Sequence, residues 1–193
     1  MNTIFILIDS LRRDYLGCYG NTWVQTPNLD SLAENSTVFE NSYIGSYPCM
    51  PARRDIWTGC LEFPWRGWGP LEPEDVDIAK ILTQNGHTSM VISDHYHMWE
   101  RGSGNYFFNF SGSEYIRGQE NDLWITDPTI PVEYSADPER MARHSLRSES
   151  YARYKRNTAH FRLEEDYFAP QVFRKASKWL ERNRTLKDLF LLL

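Results

Sequence analysis

Apolar residues are grouped along this chain in two ways. Ile4-Phe5-Ile6-Leu7-Ile8 and Leu189-Phe190-Leu191-Leu192-Leu193 are unbroken apolar blocks of strand length. Such blocks suit strands covered on both faces, as in a parallel sheet. His87-Thr88-Ser89-Met90-Val91-Ile92-Ser93 is a third strand candidate. Elsewhere the spacing is helical. Leu29, Leu32 and Ala33 share a face behind Thr26 as N-cap and Pro27 at the first helical position. Val76, Ala79 and Leu82 do so within a helix predicted over 75–85 and stopped by Gly86. Phe168, Val172, Phe173, Ala176, Trp179 and Leu180 outline an amphipathic helix opening near Pro170. Val38 and Phe39 predict a short strand or the exit of the preceding helix. The sequence helix, glycine, strand, polar cluster predicts an α/β fold, with ligands at the carboxyl ends of the strands.

Between these elements, Pro64, Gly67, Gly69, Pro70 and Pro73 mark an irregular loop carrying Trp65 and Trp68. Residues 101–135 lack a long period and predict loops with short strands. Residues 137–162 hold seven basic side chains (Arg140, Arg143, Arg147, Arg153, Lys155, Arg156, Arg162) against Asp137, Glu139 and Glu149. A solvated helical face is the plain reading of that run, and a contact with an anionic substrate or a subunit is the functional one. No repeat or low-complexity linker appears.

Composition narrows the class. A hydrophobic content of 41% and an aromatic content of 15% predict a packed core rather than disorder. The net charge of −5 argues against general nucleic-acid binding. Cys18, Cys49 and Cys60 give no disulfide framework and no Cys-x-x-Cys metal pair. The run Ile4–Ile8 is too short for a membrane span or a signal core and lacks a basic flank. The expectation is a cytoplasmic protein that engages no membrane. Asn35-Ser36-Thr37 fits a glycosylation sequon, which matters only for a secreted chain.

The chemistry concentrates at Cys49-Met50-Pro51-Ala52-Arg53. A helix is predicted over 53–60, with Pro51 in or before its first turn. Cys49 then lies at or just before a helix N-terminus, where free N–H groups favour an anion. Arg53 adds a fork of donors suited to a tetrahedral oxyanion. The plain alternatives are an inert buried cysteine and a surface arginine; Arg54 is expected to be the surface one. Asp9 ends the first apolar run and reads either as a hard-cation ligand or as a cap for the next turn. His95-x-His97 reads as loop polarity or as a zinc pair, with no further His/Cys cluster in support. Cys18 is expected to pack rather than react.

Cys49-x-Pro51-x-Arg53 resembles the signature of the type I sulfatases. So do Asn2 to Gly20 as an opening strand and metal loop, Thr26-Pro27-Asn28-Leu29-Asp30-Ser31-Leu32-Ala33 as the following helix, and Trp57-Thr58-Gly59 after the nucleophile. The resemblance covers nearly the whole chain. It is strongest over residues 2–60 and weakest around 130–165. It implies an alkaline-phosphatase-like α/β fold with a mixed sheet flanked by helices. It implies that a maturation enzyme oxidises Cys49 to formylglycine, whose hydrated form attacks a small-molecule or carbohydrate sulfate ester. It also implies a divalent metal, Ca²⁺ before Mg²⁺ or Mn²⁺, held by Asp9, Ser10 and the modified Cys49. Arg53 would stabilise the nucleophile, and His95, with His97, would meet the substrate.

Three positions depart from the family pattern. Ser10 stands where a second aspartate is usual, and Ser93 where a lysine is usual. Cys60 replaces the basic residue that often follows Thr-Gly. The first two departures favour phosphonate monoester or phosphodiester hydrolysis within the same superfamily as an alternative. The family's later metal ligands, a lysine and a further histidine would lie beyond Leu193. Residues 1–193 are therefore expected to be the N-terminal portion of a truncated catalytic domain, inactive in isolation and prone to form oligomers.

Overall fold

In the computed structural model, the described residues are 1–100, 102, 104–125, 127, 129–131 and 145–193, with 145–150 described by backbone alone. Four strands form one sheet in the order β1 (Thr3–Phe5), β4 (Leu189–Leu192), β2 (Thr88–Ser93), β3 (Gly112–Tyr115). The expected α/β class holds, but every pairing among these strands is parallel rather than mixed. Phe5 lies opposite Leu192, and Met90 lies opposite both Leu191 and Gly112.

Strand alternation explains why the central blocks are apolar throughout. Leu189, Leu191 and Leu193 join Met90, Ile92, Phe168, Val172 and Ala176 on one face. Phe190 and Leu192 join Val91, Met50, Trp57, Ala79 and Phe110 on the other. Helices α2 (Cys49–Thr58) and α3 (Ile78–Gln84) cover the second face. Helix α5 (Phe168–Arg182) covers the first, with α4 (Ser145–Thr158) beside it.

Several sequence expectations are corrected. The Ile4–Ile8 run is an edge strand. The strand itself is Thr3–Phe5, with Leu7 N–H still bonding the Leu193 carbonyl at 2.9 Å, and Ile4, Phe5, Ile6 and Ile8 remain 37–49% exposed, since among the described residues β1 pairs with β4 alone. Helix α1 (Pro27–Glu34) forms with Pro27 in its first turn, yet Leu29 and Leu32 are exposed. Thr26 makes no side-chain cap. Its hydroxyl accepts from Gly17 N–H at 2.9 Å and bonds Asp30, tying the helix to the preceding turn. Helix α3 starts at Ile78 because Asp77 caps Lys80 N–H at 2.9 Å, which leaves Val76 exposed. Gly86 then takes the left-handed conformation at φ 80°. Val38 and Phe39 are exposed and in no strand or helix. The helical reading of the basic segment holds from Ser145; its residues 137–144 lie outside the described ones.

Candidate functional site

All four strands run the same way, so the segments after β1 and β2 emerge on one edge of the sheet, flanking the end of β4. Asp9 follows β1, and Ser93-Asp94-His95 closes β2. Helix α2 begins at Cys49 rather than at Arg53, so Cys49 is its first residue and Pro51 falls within its first turn. Gly59 ends the helix at φ 71°, a conformation open to glycine. One turn along, Arg53 is 7% exposed and reaches back toward Asp9.

Asp9 is the hub. Its Oδ2 is 3.9 Å from Arg53 Nη2 and 3.9 Å from His95 Nδ1. Its Oδ1 accepts from Ser10 Oγ at 3.0 Å. Ser10 itself sits at φ 58°, a left-handed backbone that turns the chain sharply after Asp9. Arg53 also donates to the Cys49 carbonyl at 3.3 Å, which fixes the guanidinium over the helix start. Asp9, Arg53, Ser93, Asp94, His95 and Gln119 supply the polar lining of a cavity of about 260 Å³. Leu192, Leu193, Trp57 and Val172 are among its apolar walls. Cys49 is half-buried at the adjacent helix end and does not line this cavity.

The charges at the site are tuned by burial. His95 is 4% exposed, and burial, then the Arg53 and His97 charges, push its pKa down to about 3. It is therefore a neutral imidazole at pH 7, and its buried Nε2 has no hydrogen-bond partner among the described residues. Burial and the Asp9 carboxylate raise the Cys49 thiol above its ordinary value, and Arg53 offsets only part of this. The thiol thus stays protonated, contrary to the activated nucleophile that a helix N-terminus alone would suggest. Burial also raises the Asp94 carboxyl, against the pull of its own backbone and of Arg53.

Other residues fall elsewhere than expected. Arg54 is 3% exposed, not a surface residue. It donates to the carbonyls of Arg66, Gly67, Gly69 and Pro70 at 3.0–3.3 Å and so pins the aromatic loop. Cys18 is exposed rather than packed. His97 faces Glu100 Oε1 with Nδ1 at 2.9 Å and Glu120 Oε2 with Nε2 at 2.7 Å, the first contact being out of line for a hydrogen bond. Among the described residues no group of three His, Cys, Asp or Glu side chains could hold a metal. Asp94 enters the cavity beside its chain neighbour His95, whereas Gln119 carried no motif and only folding brings it there.

A family model described as Sulfatase matches residues 1–193. Iduronate 2-sulfatase of Homo sapiens is 41% identical over 103 residues, covering 50% of this chain and 18% of the relative. N-acetylgalactosamine-6-O-sulfatase of Bacteroides thetaiotaomicron is 33% identical over 113 residues, covering 53% and 21%. The chain thus spans about a fifth of the length of these curated relatives. Among solved structures, the phosphonate monoester hydrolase of Agrobacterium radiobacter superposes with a TM-score of 0.67 at 16% identity, covering 100% of this chain and 40% of that one. At that identity the likeness shows the fold.

Proposed function

This chain belongs to the sulfatase family, and from that premise we propose that it carries the nucleophile end of a sulfate ester hydrolase site, within the N-terminal portion of the catalytic domain. The observation that carries the reading is the convergence of Arg53 and His95 on one Asp9 oxygen, each at 3.9 Å, beside the helix that Cys49 opens.

Cys49 is the proposed precursor of formylglycine. Its thiol is held protonated, so the unmodified residue is a poor thiolate nucleophile. The aldehyde made from it would supply a hydrated hydroxyl as the attacking group. A divalent cation, Ca²⁺ before Mg²⁺ or Mn²⁺, fits Asp9 as one hard oxygen donor beside the Ser10 hydroxyl. When bound, it would neutralise sulfuryl oxygens. The described residues supply only part of its shell, since Ca²⁺ takes about 6–8 oxygens.

The rest follows from the chain's own side chains. Arg53 is buried, and its fork can hold two oxygens of a tetrahedral anion in a site of low polarity. His95 is neutral when the cavity is empty and presents a polar atom that bonds nothing else. An anion beside Arg53 cancels the charge that helps depress His95 and so raises its affinity for a proton. That suits a group that stabilises the leaving oxygen as the S–O bond breaks, the alcohol taking through His95 the proton that the attacking hydroxyl gives up.

Ser10 and Ser93 favour a second reading, hydrolysis of phosphonate monoesters or phosphodiesters at the same site. Ser93 Oγ accepts from His95 N–H at 3.1 Å, so a hydroxyl stands where sulfatases usually place a lysine charge. The test is production of the full-length parent with a maturation enzyme, peptide mass spectrometry at Cys49, and assay of aryl sulfates beside phenyl phosphonate esters. Conversion of Cys49 with faster sulfate turnover is expected. A persistent thiol would sink the formylglycine assignment, and faster phosphonate turnover would favour the second reading.

A further inference from the structure

His97, expected from the resemblance to meet the substrate with His95, does not line the cavity and lies outside the Asp9, Arg53 and His95 cluster. Each of its ring nitrogens faces a carboxylate oxygen, Glu100 at 2.9 Å and Glu120 at 2.7 Å. A neutral imidazole carries one N–H, which can serve the Nε2 contact with Glu120; the Nδ1 contact with Glu100 is out of line for a hydrogen bond and acts through charge alone. Two carboxylates set against one ring favour the imidazolium through their charge. Burial opposes that charge, but Glu120 and Glu100 together outweigh it and raise His97 above the ordinary histidine value.

The clamp joins three separate segments. The Trp68 ring meets the His97 ring edge-on at 4.6 Å, and its Nε1 donates to Glu100 Oε1 at 3.0 Å. Trp68 belongs to the loop that Arg54 pins. Glu120 follows Gln119, which lines the cavity, in a turn held by the buried Asn157. That side chain donates to the Gly118 and Asp122 carbonyls at 3.1 and 2.9 Å. The third segment is the end of β2, where the His95 and His97 rings stand 5.3 Å apart.

We propose that His97 is a positioning residue, clamped between Glu100 and Glu120 so that the β2 end, the aromatic loop and the Gly118–Asp122 turn hold His95 at the cavity. Its bearing on turnover rests on the function proposed above; the clamp itself does not. The ionisable groups facing His97 are Glu100, Glu120, His95 and Tyr96.

Histidine-selective ¹⁵N NMR on the intact protein tests the clamp without any substrate. His97 should titrate above the free histidine value, and Glu120→Gln should move its midpoint down. A midpoint at or below that of a free histidine, about 6.5, would overturn the clamp. In the matured enzyme, His97→Gln should lower kcat about tenfold with KM within about twofold, and shift the His95 resonances. The wild-type kcat should fall on the alkaline side as His97 deprotonates, and Glu120→Gln should move that limb to lower pH. The Glu120 side chain is 43% exposed, so this second variant is expected to fold even where His97→Gln does not. Unchanged kcat, His95 signals and pH limb would refute the positioning role. If the parent hydrolyses no ester, the functional reading fails while the NMR result still decides the clamp.

Discussion

The guanidinium of Arg53 stands 3.9 Å from the Asp9 carboxylate, with Arg53 buried and Asp9 about half exposed. The pair is too open on the Asp9 side to count as a strong stabilising bridge. Its consequence is local: a fixed positive charge is held between the start of α2 and His95. Arg53→Gln should therefore raise the His95 titration midpoint, because burial then acts without the neighbouring cation. NMR titration of the His95 ring checks this. Arg53→Lys keeps the charge but not the fork, and should still lower kcat by about 10²-fold or more.

Cys49 should be the slowest of the three thiols to react before maturation. Its thiol is raised by burial and by Asp9, whereas Cys18 and Cys60 are exposed. Iodoacetamide at pH 7.5 with peptide mapping should label Cys18 and Cys60 first. Preferential labelling of Cys49 would mean that the helix N-terminus, not burial, governs its thiol.

Arg54→Met should destabilise the fold by about 3 kcal/mol, since it leaves loop carbonyls without their donor in a buried place. Urea unfolding followed by tryptophan fluorescence measures it. A change under about 0.5 kcal/mol, the range of ordinary surface substitutions, would show that water replaces the guanidinium there.

Acid should weaken the fold through His95. The unfolded histidine binds its proton near 6.5 and the folded one only near 3, so stability falls as pH drops through that window. The loss approaches the order of 5 kcal/mol at its lower end. His97 works in the opposite direction. Its folded value is raised, so its contribution is present below the unfolded value and is lost as pH rises through the folded one. Stability should therefore peak near neutrality, and His95→Gln should flatten the acid limb in urea titrations at stepped pH.

Calcium binding by this 193-residue chain should be weak, with Kd about 10⁻³ M or higher, because Asp9 is the one carboxylate the proposed ligand set offers. Isothermal titration calorimetry measures it, and Asp9→Asn should abolish what binding there is. Micromolar affinity retained in Asp9→Asn would place the ion elsewhere.

The sequence by itself determined the α/β class, the central strands around Val91 and Leu191, the helix that buries Val172 and Ala176, and the motif linking Cys49 to Arg53. These depend on local spacing and on runs of one residue class, which a linear chain displays directly. Tertiary structure alone decided that Ile4–Ile8 lies at an edge, since exposure depends on what packs beside a strand and not on its own residues. It also decided that Arg54 is buried. Adjacent arginines look alike in a sequence, but one helix residue is rotated about 100° from the next: Arg53 turns to Asp9 and Arg54 to the loop. Of the partners of His97, Glu100 lies three residues along its own segment, whereas Glu120 comes from the turn after β3. No periodicity encodes such a meeting. It arises because parallel strands send successive loops to the same edge of the sheet.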